Sequence, residues 1–195
     1  MRDIMSSNKE RFVELLKQVD RPGIDNLLSY ILSETDFFTA PASATYHGAC
    51  EGGLLDHSLA VYDNLVVLAK TFFESYDHQS LIVCALLHDI CKANFYRRGY
   101  RNRKNETTGQ WEKVEVYEIN DQMPLGHGEK SVIILQRYIQ LTIDEMMAIR
   151  WHMGGFDDSA RGYAGAQCLS SAMKNHPLLV ALHMADMATC YFTGK

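Results

Sequence analysis

The sequence predicts an all-α helical bundle with one small β-hairpin or flap inserted around residues 95–121. Three observations carry this. Apolar residues recur at the three- and four-residue spacing of a helix face along most of the chain. A polar stretch rich in Arg and Tyr interrupts that pattern over residues 95–121. Within it, residues 111–119 alternate apolar and polar side chains over their second half, which is a strand signal.

Taken in order, residues 8–19 set Phe12, Leu15, Leu16 and Val19 on one helical face, and Arg21-Pro22-Gly23 breaks that helix. Residues 24–32 continue with Leu27, Leu28, Ile31 and Leu32. Residues 33–50 are irregular, with Thr39, Pro41, Ser43 and Gly48 as breakers. Gly52-Gly53 opens a long central helix over residues 54–73, followed by a more apolar one over 80–91. After the flap, which Pro124 and Gly126 end, residues 128–139 and 142–151 are helical again. Residues 154–165 form a loop rich in Gly and Asp, and 166–174 a short helix. Pro177 suits the first turn of a last helix running to about Tyr191.

Composition narrows the function. The chain has 195 residues, of which 47% are hydrophobic and 22% charged, which fits one globular domain over 1–195. A formal net charge of −5 gives no global basic field, so long duplex nucleic acid is not an expected partner. No apolar run reaches the roughly 18 residues of a membrane span, so no membrane contact is expected. The polar start, Met1 to Phe12, lacks the apolar segment of a secretory signal, and the expected location is cytoplasmic. Five cysteines without a C-x-x-C argue against a thiolate zinc site and against a disulfide framework. They read as reduced, mostly buried thiols.

The chemistry lies in histidines and acids. His57 sits early in the central helix, and His88-Asp89 ends an apolar one. His127 falls at a helix start, His152 at a helix end, and Asp186 inside the apolar stretch Leu182 to Ala188. One histidine at a helix end is usually a cap or a half-exposed polar residue. His88-Asp89 and Asp186, however, fall where the chain should be buried, and a buried carboxylate needs a cation or several donors. A divalent metal meets that need, and nitrogen and oxygen ligands fit Mn, Fe, Co, Ni, Mg or Zn.

The ordered set His57, His88-Asp89, Asp186 resembles the H…HD…D signature of the HD-domain metal-dependent phosphohydrolases. Gly-Gly-Leu-Leu-Asp-His57-Ser-Leu and Leu-Leu-His88-Asp89-Ile-Cys-Lys92 are its most specific pieces. The resemblance covers Tyr46 to Tyr191, about three quarters of the chain. Around His57 it is most similar to the HD domain of bacterial 3′-5′ exoribonucleases, with Tyr46-His47 at the place of their Tyr-His element. It implies an HD core over 46–191, carrying the flap, with N-terminal helices over 1–45 packed on it. It also implies divalent metal ions. With His127 and His152 between the HD pair and Asp186, two are expected. Asp89 would bridge them, His57, His88 and Asp186 completing one and His127 and His152 the other. The alternative for the latter pair is contact with substrate phosphate.

The implied reaction is hydrolysis of a phosphomonoester or phosphodiester by metal-activated water, with Asp89 orienting the nucleophile or taking its proton. The implied partner is a phosphorylated small molecule such as a nucleotide, or a short oligonucleotide. Lys92, one turn beyond His88-Asp89, either contacts a phosphate oxygen, in a catalytic and binding role, or is a solvated lysine at a helix end. His47 is a further substrate contact by the same resemblance. Arg97, Arg98 and Arg101, with Arg103 and Lys104 and interleaved aromatics, either clamp the substrate or form a solvated surface. Lys130 and Arg150, close in sequence to His127 and His152, are secondary phosphate contacts. Three other readings remain: a 3′-5′ exonuclease on short single strands, a di-iron oxygenase of the same fold, and a non-catalytic nucleotide-binding protein.

Overall fold

The most apolar segment of the chain lies at its centre. In the computed structural model, which describes residues 2–45 and 48–193, helix α4 (His78–Leu87) buries every residue from Leu81 to Leu87. A helix apolar all round must be enclosed on all sides, and it is. Helix α3 (Gly53–Phe72) packs along it. So do α1 (Arg2–Leu16) and α6 (Ile143–Trp151). Helix α8 (Pro177–Ala188) lies across α3 and α6, and α5 (His127–Gln136) across α6. Helices α2 (Ile24–Ser33) and α7 (Tyr163–Asn175) complete the bundle. No helix among the described residues is long and apolar enough to cross a membrane.

The N-terminal helices are part of the core. Phe12 and Leu16 of α1 are fully buried, and Phe12 meets Phe37 at 5.0 Å and Phe38 edge-on at 5.4 Å. Helix α1 begins at Arg2, earlier than the apolar spacing suggests, and ends at Leu16 rather than at Val19. The chain then turns at Arg21, whose guanidinium makes two hydrogen bonds to the buried carboxylate of Glu145 (2.7 and 2.6 Å). Glu145 also completes the capping box that starts α6, accepting from Thr142 N at 2.8 Å. One carboxylate thus starts a helix and anchors an arginine 124 residues away.

The insertion is a two-stranded antiparallel hairpin, β1 (Tyr96–Lys104) and β2 (Trp111–Ile119), paired without a bulge from Tyr96↔Ile119 to Lys104↔Trp111. Its tip is closed by the Asn105 side chain, which accepts from Thr107 N and Thr108 N, and by Gly109 at φ 71°. Its base is fixed by a reciprocal pair: Asp36 N donates to Asn94 Oδ1 (3.0 Å) and Asn94 N to Asp36 Oδ1 (2.5 Å).

Other differences from the sequence reading are local. Helix α4 stops at Leu87, and Ile90–Lys92 forms a 3₁₀ turn. The loop over 154–165 contains 3₁₀ turns at Gly154–Phe156 and Asp158–Arg161. Helix α8 ends at Ala188 and passes into a π-helical turn, Thr189–Thr193.

Candidate metal centre

Helix ends deliver most of the site. His88 and His152 each follow the last residue of a helix, α4 and α6, and both are fully buried. Each ring uses Nδ1–H to donate to the carbonyl three residues back, His88 to Ala85 O at 2.9 Å and His152 to Ile149 O at 2.7 Å. That bond fixes the ring and leaves Nε2 as a lone pair facing inward. His127 is the first residue of α5, His57 lies in the second turn of α3, and Asp186 in the last turn of α8. Asp89 links α4 to the 3₁₀ turn.

Two glycines bring these elements close. A Cβ on Gly53 would lie 2.1 Å from Gly48 O, so only glycine lets the preceding loop lie against the start of α3. A Cβ on Gly128 would lie 2.1 Å from Arg150 O, so only glycine lets α5 cross the end of α6. That crossing sets the His127 and His152 rings 5.3 Å apart.

The six side chains converge. His57 Nε2 lies 3.3 Å from His88 Nε2 and 3.3 Å from Asp186 Oδ1. Asp89 divides the cluster with its two oxygens. Oδ2 faces His88 Nε2 at 3.4 Å and His57 Nε2 at 3.6 Å. Oδ1 faces His127 Nε2 at 2.5 Å and His152 Nε2 at 3.5 Å. Lys92 Nζ donates to Oδ2 at 2.6 Å.

The electrostatics follow. Burial alone would raise the Asp89 carboxyl, but Lys92, His88 and His127 hold it well below the usual range. Asp186 is likewise held low, against burial, by His57, His88 and His152. Burial lowers His127, with Asp89 pulling the other way. Lys92 is raised despite burial, because Asp89 faces it.

These residues fit a divalent cation. His152 Nε2 is a buried nitrogen without a hydrogen-bond partner among the described residues. Two imidazole Nε2 atoms, of His57 and His88, face each other. Bonds of about 2.1 Å place neighbouring ligand atoms about 3.0–3.4 Å apart, close to the 3.3–3.6 Å spacings between the imidazole nitrogens and carboxylate oxygens of His57, His88, His152, Asp89 and Asp186. The donor set of imidazoles and carboxylates suits a transition ion. The family model of the HD domain matches residues 54–187.

The chain belongs to the HD domain family. HD domains bind divalent metals, and the family consists generally of metal-dependent phosphohydrolases. No curated protein and no solved structure matched the chain.

The remaining residues expected at this HD site are placed differently from one another. Lys92 stands at the cluster. Arg97 pairs with half-buried Glu118 at 3.1 Å, and Arg98 with Glu51 at 3.1 Å and Glu115 at 3.4 Å on exposed surface. Arg101 is exposed on the outer half of β1. Lys130 is buried, donates to Asp121 at 2.5 Å and lies over the Phe95 ring. Arg150 pairs with Glu129 and Asp157 and lies over Trp151, at 3.9 Å from the ring centre. The charges of Lys130 and Arg150 are therefore already matched by carboxylates. His47 lies outside the described residues.

Two cysteines border the centre, which the sequence reading missed. Cys190 Sγ is 3.6 Å from Asp186 Oδ1, and Cys91 Sγ is 3.3 Å from His127 Nδ1. Burial, reinforced by Asp186 and Asp89 respectively, pushes both thiols up to about 12. The i, i+4 spacing of Asp186 and Cys190 was a usable signal. The approach of Cys91 to His127 depends on the packing of α5. All five cysteines are free, but only Cys84 and Cys91 are buried. Cys50 precedes α3 in a loop and Cys168 lies on the solvent side of α7, which corrects the expectation of mostly buried thiols.

Proposed function

We propose that this HD protein hydrolyses a phosphomonoester or phosphodiester of a nucleotide or short oligonucleotide at a centre of two divalent ions. The observation that carries this is the division of the cluster by Asp89, one oxygen toward His57 and His88, the other toward His127 and His152. A carboxylate so placed suits a bridge, with Asp186 completing the first half. Bound ions supply an activated water and neutralise phosphate oxygens as charge develops.

The chain's own groups do the rest. Asp89 orients the attacking water or takes its proton. Lys92 Nζ, now on Asp89 Oδ2, turns to a phosphate oxygen when substrate arrives. The Nδ1–H bonds of His88 and His152 keep their rings fixed, so little reorganisation accompanies the reaction.

The hairpin supports a nucleotide substrate. Its register puts Tyr96, Arg98, Tyr100 and Lys104 on one face with Tyr117, Lys113 and Trp111. Tyr100 is 60% and Trp111 72% exposed, and Lys113 Nζ lies 4.6 Å from the Tyr100 ring centre. Exposed rings beside cations are stacking surfaces for bases. Arg101, on the opposite face, adds a phosphate contact.

A panel of generic phosphate esters, nucleotides and short single strands tests this. Hydrolysis of at least one phosphate ester is expected, lost on chelation and restored by added transition ions. If no phosphate ester is turned over with metal present, the reading fails. Tyr100→Ala and Trp111→Ala are each expected to raise KM for an oligonucleotide roughly 5- to 150-fold, the range of one stacked base. A small nitrophenyl ester should be unaffected. Equal losses on both substrates would make the hairpin structural only.

A further inference from the structure

We propose that Cys190 is a direct sulfur ligand of the metal centre, joining His57 and Asp186. On this inference, which rests on the metal-centre reading above, the first site takes zinc, iron(II) or cobalt in preference to magnesium or manganese.

The placement of Cys190 is built, not incidental. It lies four residues beyond Asp186, where α8 gives way to the π-helical turn Thr189–Thr193. Such turns redirect side chains and recur at functional sites. The turn is tied to two helices at once. Thr189 Oγ1 donates to Ala185 O at 2.9 Å, and Asn64 Nδ2 of α3 donates to Thr189 Oγ1 at 2.9 Å. Asn64 stands two turns beyond His57 on the same helix. The elements that carry His57 and Asp186 therefore also hold the turn that carries Cys190.

The distances suit coordination. Cys190 Sγ, a carboxylate oxygen of Asp186 and a ring nitrogen of His57 all lie within 4.8 Å of one another. Bonds of about 2.3 Å to sulfur and about 2.0 Å to oxygen, at a tetrahedral angle, put the two ligand atoms about 3.5 Å apart. The separation from Sγ to Asp186 Oδ1 is 3.6 Å. A second observation points to a ligand beside the same Asp186. Atoms of His88, His152 and Asp186 also lie within 4.8 Å of one another, and the fully buried His152 Nε2 has no hydrogen-bond partner among the described residues. On binding, a metal–sulfur bond forms, the S–H bond breaks and its proton leaves to solvent. A thiolate favours borderline and soft ions, whereas magnesium and manganese favour sets made of oxygen.

Cobalt(II) titration of the metal-free 195-residue chain reads this directly. Wild type should show a sulfur-to-cobalt charge-transfer band in the near ultraviolet. Cys190→Ser should lose the band yet still bind cobalt, and Cys91→Ser should keep it. Zinc affinity should fall roughly tenfold or more in Cys190→Ser, while manganese affinity changes by less than about threefold. Should Cys190→Ser fail to fold, Cys190→Asp keeps an anionic ligand and should bind cobalt without the band. A wild type that binds cobalt without the band, or a band that survives in the Cys190 variants, overturns the proposal and leaves the metal centre standing. A wild type that binds no cobalt overturns both.

Discussion

Asp89→Ala is expected to strip metal from both halves of the centre and to lower phosphate-ester turnover by roughly 10⁴-fold or more, as water activation at near-neutral pKa is lost. The size follows from its position. Among the described residues it is the one whose two oxygens face both halves, Oδ2 toward His57 and His88 and Oδ1 toward His127 and His152. Removing it leaves His57, His88 and Asp186 at one ion and the imidazoles of His127 and His152 at the other, where no carboxylate then offsets the positive charge. Lys92 loses its partner too, although its side chain keeps some contact with solvent. Asp89→Asn separates charge from shape, since it fills the same volume and is expected to lose metal almost as completely. Metal content by atomic emission, with turnover of one ester in parallel, measures both. Substantial turnover in Asp89→Ala would refute the assignment.

The largest loss of stability is expected at Arg21. Its side chain is 15% exposed and that of Glu145 0%, joined by two hydrogen bonds, so Arg21→Ala strands a buried carboxylate. Breaking such a pair costs about 3–5 kcal/mol, which in a domain of this size lowers Tm by roughly 6–20 °C. The pH dependence has a definite sign. Burial would raise Glu145, but Arg21, Thr142 N and Ser80 hold it below its ordinary 4.5. The folded carboxyl thus binds its proton at lower pH than the unfolded one. The pair's contribution is full above the ordinary value and is lost as pH falls through the folded value. In Arg21→Ala the carboxylate loses its main support, so the gap between wild type and variant should be widest near neutrality and narrow below about pH 4. Urea titrations at several pH values test this. A gap that stays constant into acid would show that Arg21 acts through packing alone.

How much was legible in the sequence depends on what each segment buries. Helix α4 reads plainly because Leu81 to Leu87 are apolar without interruption, and α2 because Leu27, Leu28 and Ile31 fall on one face. Strand β1 does not, because nearly all of Tyr96–Lys104 meets solvent and no alternation is selected. The six histidines and acids announce themselves by lying at helix ends or inside apolar runs, where an unpaired polar group would be costly. The roles of Lys130 and Arg150 could not be read from proximity to His127 and His152. Their charges go to Asp121, Glu129 and Asp157, partners that only the folded chain brings to them. Cys91 was hidden for the same reason, since its neighbour His127 is 36 residues away.

The central claim is that six side chains surround two ions that share Asp89. Anomalous X-ray scattering from crystals of protein purified without chelator locates such ions directly. Two peaks are predicted, one among His57, His88 and Asp186, the other between His127 and His152, both in contact with Asp89. A crystal with a single peak or none in this cluster, or with metal bound only elsewhere on the chain, would contradict it.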